Sequence, residues 1–140
     1  MTYEITREES PSAADIDEVG RRLDEYTEEI FGPRTRTHIA YFLRDELGKI
    51  VGGVNGNYGS FHWLYINALW VRKDLRHLGY GRQLMRLIED EAIEHGVRNA
   101  FLNTMSFQAP EFYKKLGYTV FGELEDFPAG HSRIFLRKTF

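Results

Sequence analysis

The sequence predicts an α/β fold organised around a strand, a glycine-rich turn and an amphipathic helix. Residues 61–71 form an almost uninterrupted apolar run, which is typical of a central strand covered on both faces. Gly79 and Gly81 follow, and apolar residues then recur at helical spacing as far as His95. A second buried strand is expected at 99–104. A helix that crosses over between two neighbouring strands implies that those strands are parallel.

Further elements on either side extend this unit into a larger sheet. They are identified by hydrophobic periodicity and by glycine or proline at their ends. The remaining predicted elements are an edge strand at 3–6, a helix between 10 and 32, a hairpin at 39–45 and 50–54, a short helix at 110–116, and strands at 118–124 and 132–137.

Composition favours one compact domain spanning residues 1–140 and excludes several kinds of chemistry. With 42% hydrophobic residues the chain can bury a substantial core. It has no cysteine, which excludes disulfides, thiolate zinc sites and cysteine nucleophiles. The five histidines are scattered without metal-ligand spacing, so no metal is expected. No apolar run approaches the roughly 20 residues of a membrane span. The polar, acidic N-terminus does not resemble a signal peptide, so a cytoplasmic location is expected.

Charge is distributed unevenly along the chain. The formal net charge is −3, which argues against general nucleic-acid binding. The first 31 residues are strongly acidic, whereas the segment 72–86 is basic. The acidic helix is either a solvated surface or a means of attracting a cationic amine. The basic segment leaves an RNA-binding or phosphate-binding domain as an alternative, although it lacks interleaved aromatic residues.

The start of the central helix is a candidate anion site. The first turn of a helix presents unpaired backbone N–H groups and the positive end of the helix dipole. Gly79 and Gly81 allow a phosphate to approach that backbone closely. The same glycines would also suit a plain strand-to-helix turn. A third glycine at the spacing of the dinucleotide-binding fingerprint is absent, as is a phosphate-binding Walker loop.

Two segments of the chain resemble a known family. Arg76-His-Leu-Gly-Tyr-Gly81 has the form Arg-x-x-Gly-x-Gly and resembles the acetyl-CoA signature of the GNAT family of N-acetyltransferases. The segment from Ser106 to Tyr118 resembles the second cofactor segment of that family, with Phe-Tyr followed by Lys-Leu-Gly and an aromatic residue. The resemblance implies a mixed sheet of about six to seven strands flanked by helices. It also implies transfer of acetyl from acetyl-CoA to a primary amine of a small molecule or peptide, by direct attack in a ternary complex.

The resemblance also implies roles for individual residues. Tyr113 would be the general acid that protonates the departing thiolate. Backbone groups on the central strand would bind the pantetheine arm as an extra strand, and the glycine turn would bind the diphosphate. The implied cofactor-binding residues are Leu69, Trp70, Val71, Arg76, His77, Leu78, Gly79, Tyr80, Gly81, Arg82, Asn103, Ser106 and Tyr113.

No general base is evident in the sequence. Some members of the family carry a glutamate on the central strand, but residues 61–71 contain no carboxylate. His62 and His131 are the candidate bases, because an unperturbed histidine titrates near neutral pH. Glu111 is a weaker candidate. The missing carboxylate also leaves open a non-catalytic module that senses acyl-CoA. Exposed edge strands would allow a homodimer.

Overall fold

The computed structural model describes all residues from 1 to 140, which divide into two compact units, Met1–Arg34 and Thr35–Phe140. The first unit contains helix α1 (Ala13–Phe31). The second contains strands β1 (Arg36–Arg44), β2 (Ile50–Gly59), β3 (Trp63–Val71), β4 (Asn99–Met105), β5 (Thr119–Leu124) and β6 (Arg133–Thr139), with helices α2 (Tyr80–Glu94) and α3 (Pro110–Lys115). None of the helices combines the length and apolar character that a membrane span requires.

Helix α1 begins and ends where its flanking residues predict. The Ser12 side chain accepts a hydrogen bond of 3.1 Å from the backbone N–H of Asp15, which caps the first turn. Gly32 ends the helix with a positive φ of 82°. Arg21 forms ion pairs with Glu18 one turn earlier and with Glu25 one turn later. No side chain of α1 is buried.

The predicted edge strand at residues 3–6 is wrong. The segment before α1 has no regular secondary structure and is exposed throughout. Four alternating residues give the right side-chain pattern, but a strand also needs a neighbour that accepts its backbone hydrogen bonds. The sequence pattern did not identify such a neighbour.

The six strands form one mixed sheet in the order β1-β2-β3-β4-β6-β5. Strands β3 and β4 are parallel and are joined by α2, as the crossover argument predicted. All other neighbouring pairs are antiparallel. The predicted α/β fold is therefore confirmed, with six strands.

The hydrophobic core lies between α2 and one face of this sheet. Strand β4 alternates strictly, with Ala100, Leu102 and Thr104 buried and the intervening residues partly exposed. The apolar stripe of α2 meets this face of the sheet. The fully buried members of this core include Val54, Leu64, Met85, Ile88, Leu102, Tyr118 and Leu136.

A buried polar group lies within the same core. Glu89 of α2 is only 8% exposed. Its carboxylate accepts a 2.6 Å hydrogen bond from the Tyr118 hydroxyl and a 2.9 Å bond from the Lys138 ammonium. Both carboxylate oxygens therefore have partners, as a buried charge requires.

Candidate active site

The two central strands separate part-way along their length. Strands β3 and β4 pair only over Trp63–Tyr65 and Asn99–Phe101. On the other side of β3, the register with β2 shifts so that Asn55 faces Ala68 and Gly56 faces Ile66. Asn67 is therefore an extra residue in β3, which is a β-bulge. A bulge bends its strand and increases the local twist, and β3 parts from β4 at this point.

A cavity of about 830 Å³ occupies the gap between the separated strands. It is lined by the last residues of β3, residues 102–104 of β4, the turn before α2 with the first residues of that helix, residues 107–109, and Phe112 and Tyr113 of α3. None of the residues that line it is an aspartate or a glutamate. No group of three or more histidine, aspartate or glutamate residues in the chain is placed to hold a metal ion.

The start of α2 forms one wall of the cavity. Gly79 caps the helix in the left-handed conformation, with φ 91° and ψ 0°, which favours glycine. The first intrahelical bond from this turn is donated by Gln83 to the Gly79 carbonyl, so the N–H groups of residues 80–82 have no helical acceptor. Arg72 pairs with Asp74 and holds the pKa of that carboxyl below its usual range. The free N–H groups of residues 80–82 suit this wall of the cavity to binding an anion.

Gly81 is required by close packing rather than by its backbone angle. A Cβ atom at this position would lie 3.2 Å from Cζ of Phe112. Phe112 lines the same cavity from α3. The two predicted cofactor segments therefore meet at this contact, with the helix backbone directly against an aromatic ring.

Tyr113 is the buried phenol of the cavity. Its side chain is 7% exposed, and its ring packs edge-on against Phe112 and Tyr118 at centroid distances of 5.2 and 6.1 Å. Burial raises the pKa of Tyr113 to about 12. The hydroxyl therefore keeps its proton throughout the physiological range.

Most of the predicted cofactor residues line this one cavity. The exceptions are Leu78, which is 63% exposed beside it, and Ser106. The Ser106 hydroxyl instead accepts a 2.9 Å hydrogen bond from the Ser132 N–H, and the Ser106 N–H donates to the Ser132 carbonyl. Ser106 therefore ties the segment after β4 to the start of β6.

The structure separates the candidate bases. His62 lies in the turn before β3, at the end where β3 and β4 are still paired, and lines a different cavity of about 340 Å³. His131 packs edge-on against Phe107, a residue of the active-site cavity, at 5.0 Å between ring centroids. Glu111 is exposed and paired with Lys114 at 2.9 Å. Of the two candidate histidines, His131 is therefore the one in contact with a residue of this cavity.

Comparison with known proteins identifies the family. The model of the acetyltransferase (GNAT) family matches residues 1–118. The chain belongs to the GNAT acetyltransferase family. A crystal structure of an acetyltransferase from Bacillus cereus ATCC 14579 is 38% identical and superimposes with a TM-score of 0.87, over 96% of this chain and 98% of the other.

Curated relatives agree with this assignment to the GNAT family. The blasticidin-S acetyltransferase of Streptomyces morookaense is 35% identical over 92 residues, which cover 65% of this chain and 67% of that protein. Acetyltransferase Atu2258 of Agrobacterium fabrum is 29% identical over 110 residues, covering 79% of this chain and 80% of the relative. The chain is therefore an acetyl-CoA-dependent acyltransferase.

Several residues of this GNAT site were not identified from the sequence. Gln108 accepts hydrogen bonds from the Met105 N–H at 2.8 Å and from the Thr104 hydroxyl at 3.2 Å, which fixes the end of β4. Asn67 of the bulge donates to Asn55 at 2.9 Å. Arg133 donates from Nε to Oδ1 of Asn103 at 2.8 Å. Of these residues, only Asn67 could have been noticed in the sequence, because it is a polar residue within the apolar run 61–71.

Proposed function

We propose that this enzyme transfers the acetyl group of acetyl-CoA to a primary amine by direct attack in a ternary complex. The observation that carries the proposal is the single cavity between β3 and β4, which joins an anion-binding helix start to the buried phenol of Tyr113. A thioester is already activated, so no acyl-enzyme intermediate is needed. Holding the amine against the polarised carbonyl supplies much of the rate enhancement.

The diphosphate of acetyl-CoA would bind at the first turn of α2. The free N–H groups of residues 80–82 and the guanidinium of Arg82 supply donors there. Arg76 donates from Nε to the Val71 carbonyl at 2.9 Å, so it anchors the end of β3 to the turn. Because Arg72 donates to the Val51 carbonyl, Trp70 and Arg72 direct their backbone groups to β2, and the backbone groups of Leu69 and the N–H of Val71 are left for the pantetheine arm.

The chemical step exchanges one bond at the carbonyl carbon. The amine nitrogen attacks that carbon, the C–N bond forms as the C–S bond breaks, and the proton lost by nitrogen balances the proton gained by sulfur. Tyr113 would donate a hydrogen bond to the departing sulfur. Its pKa of about 12 lies well above the value of about 8.5 for an ordinary cysteine thiol. Tyr113 therefore stabilises the thiolate by donating a hydrogen bond to it. If Tyr113 gives its proton to the sulfur, the proton released by the amine nitrogen must replace it.

The amine must reach the cavity without its extra proton. Of the predicted bases, His131 is the one whose ring contacts a residue of the cavity, Phe107, and it could accept this proton directly or through water. His62, in its separate cavity, would have to act over a longer path. An amine of low intrinsic pKa would need neither residue.

The proposal is tested with purified protein, acetyl-CoA and a panel of primary amines. We expect acetyl-CoA to bind in calorimetry, and at least one amine to release CoA thiol and gain one acetyl group by mass spectrometry. Binding without turnover on any amine would instead favour an acyl-CoA sensor. Tight RNA binding without CoA binding would favour the nucleic-acid alternative.

Replacing Arg82 by methionine is expected to weaken acetyl-CoA binding by up to about tenfold. The substitution removes one charge-assisted contact to the diphosphate and keeps the backbone N–H groups. Arg86, one turn further along α2 and 3.9 Å from Asp90, provides the matched control. Arg86→Met should bind acetyl-CoA as the wild type does. Equal losses in both variants would remove Arg82 from the diphosphate site.

A further inference from the structure

The face of the sheet opposite α2 carries polar side chains beside the active-site gap. Asn103 alternates along β4 with Leu102 and Thr104, which face the core, so it lies on the opposite face. Arg133 alternates in the same way with Ile134 on β6. On the other side of the gap this face presents Asn67 and Asn55, which are hydrogen-bonded to each other. Amides and one guanidinium therefore flank the gap, and no carboxylate is among the residues that line the cavity.

Arg133 is held rigidly by groups that leave its charge unneutralised. Its Nε donates to Oδ1 of Asn103, and its guanidinium lies 5.3 Å from the ring centroid of Phe127 and 5.9 Å from that of Phe135. It is partly buried, and no carboxylate of the chain forms an ion pair with it. An arginine has five N–H donors, so the four on its terminal nitrogens remain available for a planar anion.

The loop beside Arg133 is fixed against the end of β4. Ser106 and Ser132 are joined by two hydrogen bonds, and the ring of His131 packs against Phe107. Asn103 and Phe107 both line the cavity. The guanidinium of Arg133 therefore contacts Asn103, which lines the cavity. The contacts of residues 106, 107, 131 and 132 fix the rim of the cavity beside it.

We propose that the acceptor amine carries a carboxylate, which Arg133 binds in a bidentate manner while the amide nitrogen of Asn103 donates to the same group. This inference rests on the proposed function and names the substrate class of the same site. The start of α2 and the rings of Phe112 and Tyr113 occupy the core side of the gap. The amine would therefore approach from the opposite face, where Arg133 lies.

This assignment differs from the expectation drawn from charge along the chain. The acidic residues of α1 suggested a cationic acceptor, yet two of them, Glu18 and Glu25, already pair with arginines of the same helix. The side chains at the gap are neutral or basic. An acceptor of the amino-acid type, with an amine and a carboxylate a few bonds apart, fits this surface.

The test compares amino acids with their own carboxamides as acceptors. The panel contains α-amino acids and ω-amino acids, each paired with its amide, and kcat/KM is measured by thiol release. Rates are expressed per unit of unprotonated amine, because amidation lowers the pKa of the amine. We expect the wild type to prefer the best acid over its amide by at least about tenfold, as a charge-assisted bidentate contact predicts.

Variants of Arg133 separate recognition from folding. Arg133→Met should bring the acid-to-amide ratio close to one by lowering kcat/KM on the acids much more than on the amides. Arg133→Lys should restore part of the preference. Arg137, on the same face of β6 but paired in register with Phe101, is the matched control, and Arg137→Met should keep the full preference.

The outcomes distinguish this inference from the proposed function. If amides react as well as acids, or if Arg133→Met slows both equally, the carboxylate assignment is overturned while amine acetylation stands. If no amine of either kind releases CoA, amine acetylation itself fails and the acceptor assignment fails with it.

Discussion

Tyr113→Phe is expected to lower kcat by about a hundredfold or more, the range typical of losing a positioned proton donor. The substitution removes only the hydroxyl, so the ring contacts with Phe112 and Tyr118 remain. Affinity for acetyl-CoA should change little, because the sites proposed for the diphosphate and the pantetheine arm are formed by other residues. Steady-state kinetics with thiol detection, together with calorimetry for CoA, measure both quantities.

Tyr58→Phe is the matched control for this experiment. Tyr58 lies on β2, packs against the core and has His95 as its ring neighbour at 5.4 Å, and it does not line the cavity. Its variant should turn over at the wild-type rate. If Tyr113→Phe also retained wild-type turnover, Tyr113 would have only a packing role.

The pH profile gives a second, independent check on Tyr113. Its neutral form is the hydrogen-bond donor, and burial raises its pKa to about 12. The donor is therefore present at all lower pH values and is lost only as the pH rises through about 12. We expect no loss of kcat from this residue between pH 6 and about pH 10. A fall in kcat within that window, absent from Tyr113→Phe, would show that the phenol ionises there.

The cofactor side of the site could be predicted from the sequence because its physical requirements are local. A phosphate at a helix start needs glycines and free N–H groups within one turn, and residues 79–82 carry that information in consecutive positions. The second predicted cofactor segment, residues 106–118, packs against the first, residues 76–81, through the close contact of Phe112 with Gly81. Leu78 shows the limit of this reasoning, since it belongs to the motif but is exposed and does not line the cavity.

The acceptor side could not be predicted because it depends on residues far apart in the chain. Asn103 was expected among the cofactor residues, and Arg133, which carries no motif, is brought beside it only by the pairing of β4 with β6. His62 looked suitable by chemistry alone, but a histidine has no sequence signal for which end of a strand it occupies. The bulge at Asn67, which opens the gap, is visible only in the register of β2 with β3.

Ser106 shows a further reason why a motif does not fix a role. It occupies a cofactor position by resemblance, and a hydroxyl there could have bonded to the pantetheine arm. In the fold, the hydroxyl instead accepts a 2.9 Å hydrogen bond from the backbone N–H of Ser132. The hydroxyl thereby fixes the rim on which Arg133 lies.

Glu89→Ala is expected to lower the free energy of unfolding by about 3 kcal/mol, because removing one partner of a buried ion pair strands the other charge. The change leaves the Lys138 ammonium and the Tyr118 hydroxyl without their acceptor in a partly dehydrated core. It also leaves a cavity in place of the carboxylate. For a chain of this size the melting temperature should fall by roughly 10 °C. Thermal and urea unfolding, followed by circular dichroism, measure the loss.

A double variant distinguishes the ion pair from the Tyr118 hydrogen bond. Glu89→Met combined with Lys138→Met replaces both charges by apolar side chains of similar length, which for buried pairs is often neutral or stabilising. We therefore expect the double variant to be more stable than Glu89→Ala by at least about 1 kcal/mol, with Glu94→Ala at the exposed end of α2 as an inert control. If the double variant were as unstable as Glu89→Ala, the cost would come from the Tyr118 hydroxyl, which lacks its acceptor in both variants, and not from the unpaired Lys138. Because Tyr118 packs against Tyr113, turnover measured below the melting temperature then shows whether this buried group also positions the catalytic ring.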